Sequence, residues 1–303
     1  MPELPDITVY IDALNERVAG QRLEDIRITN PFLLRSVQPP IESAQDQVIK
    51  TIRRFGKRIG FELSNDIWVV VHLMIAGRLQ WDEKRTKKPT KNTLAILSFG
   101  TGALHLTEAG SKKRASLHLY DNEAALTDTL PQGIDIETMD LARFSQRLTQ
   151  SNHTLKRALT DPHLFSGIGN AYSDEILHAA RLSPILQTQK MDDEQIQTLF
   201  HCVKDTLTLW TTRLSEERGK SFPKKVTAFR PQMATHGKYG QPCPVCETTI
   251  QRIRYAENEV NYCPRCQTDG KVLADRGLSR LLKKDWPRTI DELERKKSQR
   301  AGE

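Results

Sequence analysis

Four cysteines near the C-terminus constrain this chain more than any other feature. Cys243 and Cys246 form one C-x-x-C pair, and Cys263 and Cys266 form a second. Two such pairs can close a tetrahedral thiolate shell around one structural zinc ion. The intervening stretch 247–262 is long enough for two short strands and a turn. The pattern predicts a zinc ribbon, a β-hairpin held by metal because it is too small to bury a core of its own. Pro244 and Pro264 inside the two pairs favour zinc over the alternatives, two disulfides or four unrelated thiols. Zinc-bound thiolates imply a reducing compartment. Cys202 falls within a helical run and reads as a small core residue.

Charge is concentrated near the same segment. The chain has 303 residues and a formal net charge of +7, with room for two or three domains. Residues 219–266 hold eight Lys/Arg against three Asp/Glu, and residues 267–303 hold ten against seven, so residues 1–218 carry −1. A basic region of this kind attracts a phosphate backbone. A soluble protein that merely happens to be basic is the alternative. No apolar run approaches the roughly 20 residues of a membrane span. Met1-Pro2-Glu3-Leu4-Pro5 has no charged-then-apolar signal pattern. A cytoplasmic protein without a membrane partner is expected.

Periodicity divides the chain into four parts, 1–131, 135–230, 235–267 and a basic tail 268–303. In the first, residues 5–18 carry Ile7, Tyr10, Ile11, Leu14 and Val18 on one helical face. Strand-like runs follow at 22–28, 48–54, 59–63, 67–72, 95–99, 103–107 and 115–120, separated by turn signals such as Asn65-Asp66. Many strands on short turns predict a sandwich or barrel-like sheet. The second part is helical at 140–150, 154–160, 171–178 and 192–214, with Asp192 as an N-cap and Gln195 completing a capping box. In the tail, 278–285 and 291–298 read as short helices, and Leu278, Leu281, Leu282 and Trp286 are expected to pack on the ribbon.

Gly167-Ile168-Gly169-Asn170 leads directly into the predicted helix at 171–178. Glycines at such a turn leave N–H groups free at a helix N-terminus, where an anion such as a DNA phosphate can bind. By itself the motif is weak, and such a glycine-rich turn is more often only a turn. Met1-Pro2-Glu3-Leu4-Pro5-Asp6, Arg53-Arg54-Phe55-Gly56-Lys57, Gly167 to Glu175 and the four-cysteine ribbon occur in that order. Together they resemble the formamidopyrimidine-DNA glycosylase/endonuclease VIII family, over residues 2–266. The resemblance implies an α+β protein: an N-terminal β-sandwich with a flanking helix, a helix–two-turns–helix domain and a C-terminal zinc-ribbon hairpin, acting as a monomer. It also implies a partner, double-stranded DNA with a damaged base or abasic site, held in a cleft between the domains.

The chemistry expected from the resemblance can be argued from the residues. Removal of Met1 would leave Pro2 as the N-terminus. Its secondary amine has a pKa near the usual α-amino value of about 8, so a useful fraction is neutral and nucleophilic. The resemblance has this amine attack the sugar C1′, expel the damaged base and form an iminium. β-Elimination then breaks the strand. Glu3 would move protons beside the amine, and Lys57 would be a second cation near the sugar and phosphate. Lys156 and Asn170 match phosphate-binding positions, with Glu175 supporting the turn.

Three departures bear on lesion choice. Asn258 stands where the family hairpin usually carries arginine, five residues before Cys263. It can bond a phosphate but supplies no charge, which puts δ-elimination in question. Ile75 takes the place of a void-filling methionine, with Met74 one register away. Lys113 and Arg114 can serve as the inserted cation, whereas Ala115 falls where an aromatic would be. The segment 219–230 does not resemble the usual lesion-capping loop. A changed base preference with retained chemistry is expected. A non-catalytic damaged-DNA-binding protein of the same fold, and a zinc-ribbon RNA-binding protein, are the alternatives.

Overall fold

The computed structural model describes every residue except 225, 256–257, 276–278, 280, 282, 284–285 and 302–303, and the side chains of Tyr255, Asn258, Lys297, Arg300 and Ala301. It divides into two units, Met1–Gln132 with Thr208–Thr227, and Gly133–Leu207 with Ala228–Glu303.

The first unit is a β-sandwich with a helix at its start. Helix α1 spans Leu4–Val18 and buries the apolar positions of its stripe, Ile7, Tyr10, Ile11, Leu14 and Val18. Strands β1 (Arg22–Ile28), β2 (Gln47–Phe55), β3 (Arg58–Leu63), β4 (Trp68–His72), β5 (Gly77–Asp82), β6 (Thr93–Phe99), β7 (Gly102–Glu108) and β8 (Ser116–Tyr120) run in the order β5-β7-β6-β1-β2-β3-β4-β8. All neighbours are antiparallel, and β1 meets β2 at only two register pairs, Arg22 with Val48 and Leu23 with Gln47. This corner lets the sheet fold into two four-stranded layers. Leu79, Leu97, Phe99, Leu104 and Leu106 from one layer join Ile52, Phe61, Val69, Val71 and Leu117 from the other in one core with α1. Alternation along each strand produces that core.

β4 breaks the alternation, because Trp68 to Val71 are all buried. Its outer face is covered by Phe55, Tyr120 and Leu126, the last from the short helix α2 (Glu123–Asp128). In this unit the sequence reading omits β5 and α2 among the strands and α-helices. The segment after Arg218 also belongs to this unit. Phe222 and Val226 enter the sandwich core, Phe222 packs at a tilt against Tyr10 with ring centroids 5.7 Å apart, and Arg218 clasps Glu16 with contacts of 2.7 and 2.8 Å.

The second unit holds α3 (Leu141–Thr149), α4 (Leu155–Thr160), α5 (Asn170–Ala179) and the first part of α6 (Asp193–Arg218). Two-residue strands β9 (Ile134–Asp135) and β10 (Phe165–Ser166) pair in parallel. Phe144 of α3 packs at a tilt against Phe165, with ring centroids 5.0 Å apart, and against Phe200 of α6 at 5.6 Å. Asp192 and Gln195 form the expected reciprocal capping contacts at the start of α6.

The ribbon follows as the antiparallel hairpin β11 (Gln251–Tyr255) and β12 (Asn258–Tyr262), and α7 (Pro264–Thr268) is capped by Cys263 and carries Cys266. The tail packs on the ribbon, but through other residues than expected. Leu273 joins Ile253, Val260 and Tyr262, and its N–H donates to the Tyr262 hydroxyl at 2.7 Å. Leu281 is 79% exposed, Trp286 is half-buried, and Leu278 and Leu282 lie outside the described residues. The C-terminal helix Ile290–Ala301 starts at a fully buried Ile290. Among the described residues, no helix is long and apolar enough to cross a membrane.

Candidate DNA-processing site and metal centre

In the first unit the chain begins at the N-terminus of α1. Pro2 and Glu3 are buried, Glu3 with 2% exposure. Glu3 is the N-cap, and Asp6 closes a capping box by accepting the Glu3 N–H at 3.1 Å. Burial pushes the α-amine of Met1 below its ordinary value. The Glu3 carboxylate opposes that shift, Arg78 reinforces it, and Asp6 and Lys57 follow with smaller opposing and reinforcing effects. A helix N-terminus also disfavours a cation. The start of α1 therefore favours the neutral, nucleophilic form of an amine, with a carboxylate close by.

Lys57 lies on the two-residue turn between β2 and β3. Gly56 holds φ 63 there, the left-handed first position of a II′-type hairpin turn. Lys57 and Arg58 reach the same neighbourhood as His72 on β4. Burial, then the cations of Arg58 and Lys57, then His118, push the His72 imidazole down to about 4, so it is neutral at pH 7. Arg53 is turned away from this corner, paired with Glu123 and set over the Trp68 ring at 4.7 Å.

The turn after β4 presents Ile75, 52% exposed, while Met74 takes a positive φ of 52 and is half-buried. Gly77 completes the turn by donating to the Leu73 carbonyl at 2.9 Å. A Cβ at residue 77 would lie 2.3 Å from that same oxygen, so only glycine fits. Across the sheet, Glu108 at the end of β7 is 1% exposed and accepts the N–H groups of Arg114 and Ala115 at 2.8 and 3.0 Å. Lys113 curls inward to the Glu108 carbonyl and to Asn92. Arg114 is exposed and Ala115 is buried.

In the second unit, Lys156 of α4 is 9% exposed and its ammonium lies between the Asn170 carbonyl, at 2.7 Å, and Asp174, at 2.5 Å. The Asn170 amide opens α5 and donates to the Glu259 carbonyl of β12 at 3.0 Å. Asp174 also faces His236 Nδ1 at 2.8 Å and the Asn261 N–H at 3.3 Å. Glu175 accepts the N–H groups of Ala234, Thr235 and His236. It supports the segment 234–236, not the turn at 167–170 expected from the sequence. Asn258 opens β12 with its backbone paired to Tyr255, and its side chain lies outside the described residues.

Arg78, His72, Asp6, Glu108 and Asp174 were not singled out from the sequence. Only Asp6 carries a local signal, an acid three residues after another at a helix start. The others acquire their neighbours through strand pairing or helix packing.

The four cysteines converge. Their sulfurs lie within 4.8 Å of one another, with Cys246 at 3.4 Å from Cys263 and 3.5 Å from Cys266, and Cys243 at 3.9 Å from Cys266. A tetrahedral shell with Zn–S near 2.3 Å separates its sulfurs by about 3.8 Å, so these residues fit one structural zinc. Two disulfides would need bonded S–S pairs near 2.05 Å, and all five cysteines are free.

Comparison with known proteins gives one family throughout. Residues 1–116 match the formamidopyrimidine-DNA glycosylase N-terminal domain, 131–213 the H2TH domain of the same enzymes, and 240–268 a zinc finger found in FPG and IleRS. A formamidopyrimidine-DNA glycosylase of Mycoplasmopsis pulmonis is 30% identical over 280 residues, 88% of this chain and 98% of the relative. An uncharacterized formamidopyrimidine-DNA glycosylase-like protein of Mycobacterium tuberculosis is 39% identical over 153 residues, 50% of this chain and 93% of its own length. Among solved structures, the wild-type Lactococcus lactis Fpg in complex with DNA containing an oxidized pyrimidine superposes with TM-score 0.76 at 25% identity, covering 88% of this chain and all of that one.

Proposed function

Because this chain belongs to the formamidopyrimidine-DNA glycosylase family, we propose that it is a base-excision repair glycosylase that also cleaves the strand at the abasic site it makes. The observation that carries this reading is the start of α1, where burial and the Arg78 cation favour a neutral amine beside the buried Glu3 carboxylate. The shift belongs to the Met1 amine. Removal of Met1 transfers the N-terminus to Pro2, one residue closer to Glu3.

In the proposed reaction the Pro2 nitrogen lone pair forms a bond to C1′ of the damaged nucleotide, and its N–H proton passes to the Glu3 carboxylate. The glycosidic C1′–N bond breaks, and the base leaves with its bonding pair and takes up a proton from solvent. The sugar ring opens as its oxygen takes a proton from Glu3, giving an iminium between Pro2 and C1′. The iminium acidifies the C2′ hydrogen. Its loss as a proton drives rupture of the C3′–O bond, and the phosphate departs. Water then hydrolyses the iminium and returns the free amine. Lys57, on its rigid turn, offers a cation for the sugar or a flanking phosphate, and His72 adds a neutral donor.

Double-stranded DNA with a damaged base or an abasic site is the proposed partner, bound by a monomer in the cytoplasm, associated with the nucleoid if the source is bacterial. The N-terminus of α5 with Asn170 and Lys156 is the proposed phosphate contact, and Asn258 a weaker one on the hairpin. Lys156 acts mainly by orienting the Asn170 backbone, because Asp174 neutralises its charge. Ile75 and Arg114 are the side chains proposed to enter the space left by a flipped nucleotide, with Lys113 holding the loop in shape. Buried Ala115 puts no aromatic into that space, which supports a changed base preference.

Borohydride trapping on duplex DNA with one abasic site tests the reading, with intact mass confirming loss of Met1. Wild-type protein is expected to form a covalent adduct, Pro2→Gly to form at least tenfold less, and Glu3→Gln to bind DNA without turnover. No adduct from zinc-loaded protein lacking Met1 would overturn the enzyme reading in favour of a damaged-DNA-binding protein.

A further inference from the structure

The zinc centre has a neighbour beyond its four cysteines. His178 closes the last turn of α5 and is 7% exposed. Its Nε2 lies 3.3 Å from the sulfur of Cys243, itself 1% exposed. Backbone N–H groups also point at the ligands, Val245 at Cys243 and Cys266 at Cys263, both at 3.5 Å. Those contacts arise within each C-x-x-C knuckle. The imidazole instead arrives from 65 residues earlier in the chain.

Zinc fixes the direction of this contact. A zinc-bound cysteine is a thiolate and carries no proton. The proton between Nε2 and Sγ must then reside on nitrogen. The four sulfurs already complete the tetrahedron, which leaves the imidazole outside the ligand set.

We propose that His178 is an outer-shell partner of the zinc, a positioning residue that donates Nε2–H to the Cys243 thiolate and couples metal retention to the helical domain. A hydrogen bond to a metal thiolate draws charge off the sulfur. It weakens attack by protons, oxidants and alkylating agents and keeps the ligand in place. A second contact serves the other knuckle. Gln267 accepts the Cys263 N–H at 2.8 Å and donates to the Leu182 carbonyl, just beyond α5, at 3.0 Å. The segment that ends α5 thus holds one cysteine of each pair.

The test uses the full-length, zinc-loaded protein and its cobalt-substituted form. His178→Phe keeps a ring and removes the donor, whereas His178→Gln keeps an N–H. His178→Phe should release zinc to excess chelator about 10- to 100-fold faster than wild type. Its sulfur-to-cobalt charge-transfer band should move to lower energy, as expected for a more electron-rich thiolate. His178→Gln should restore part of both. Wild-type release and an unmoved band in His178→Phe would overturn the proposal. Should His178→Phe fail to fold, His178→Gln is compared with His178→Glu, a similar size without an amide donor. Faster release from the glutamate variant supports the proposal, and equal rates overturn it.

Discussion

Helices α1 and α5 both carry buried acids in their first two turns, and they satisfy them in opposite ways. At α1, Glu3 and Asp6 belong to a capping box closed within one turn. At α5, Asp174 and Glu175 take partners between 18 and 87 residues away: Lys156, the loop Ala234 to His236, and Asn261. The local arrangement leaves a carboxylate beside the chain's first residues, where it can handle protons. The distant one makes the helix an anchor for the ribbon and the segment before it. Similar acids at similar places stay available to the proposed chemistry when their partners are local, and are committed to architecture when the partners are remote.

The comparison breaks most forcefully at the metal. Structural zinc sites contribute apparent binding energies of about 10–16 kcal/mol, which act as folding energy. Stripping zinc, or replacing Cys263 with serine, should unfold the ribbon and release the anchored side of α5. Amide hydrogen exchange should become fast across 240–268 while the strands at 47–72 keep their protection. Uniform loss of protection in both would show that α1 depends on the metal as much as α5 does.

A subtler break is Glu175→Ala. Three backbone N–H groups lose their acceptor, and each buried unsatisfied donor costs about 1–3 kcal/mol. A loss of at least about 3 kcal/mol in urea unfolding is expected. A change below about 1 kcal/mol would mean that water replaces the carboxylate, and that the anchor is weaker than its geometry implies.

The same contrast governs what could be read from sequence. The α1 stripe, the strands at 22–28 and 59–63, the turn Asn65-Asp66 and the paired cysteines are visible because their signals lie within a few residues. β5 is not, because Gly77 begins it and its alternation covers only Arg78 to Trp81. Arg78 acquires meaning only when β5 pairs with β7 and lies by the start of α1. Lys156 reads as a phosphate-binding cation until the packing of α4 on α5 places it against Asp174. His178 has no pattern of its own, since its partner lies across the unit in the ribbon. The anchoring of 219–227 through Phe222 was hidden likewise, as one aromatic in a polar stretch.

Acid sharpens the comparison on the α1 side. The His72 pKa is lowered to about 4 from an ordinary 6.5, first by burial and then by Arg58, Lys57 and His118. The unfolded chain therefore takes up the proton more readily. Stability contributed by the neutral imidazole is complete above pH 6.5, falls as pH drops towards 4, and stops falling below that. Allowing for partial exposure, the loss at pH 5 is about 1–2 kcal/mol. Unfolding midpoints of the first unit between pH 7 and pH 4 should show this slope, and His72→Gln should flatten it. An unchanged slope would place the acid sensitivity in His105 or His118, whose pKa values burial also lowers.

The smallest effect in stability is the one that probes function most directly. Asp6→Ala removes the acceptor for the Glu3 N–H and should cost about 1 kcal/mol, the usual value of a helix cap. If the capping box serves only to start α1, adduct formation on abasic DNA will change in proportion to that small loss. If it also aims Glu3 at the N-terminal amine, trapping should slow about tenfold while the unfolding midpoint moves little, and Asp6→Asn, which keeps an acceptor oxygen, should recover most of the rate. A residue whose removal costs the fold little and the reaction much is positioning chemistry. The corresponding cut at Glu175 should show the reverse, because its partners are pieces of the fold.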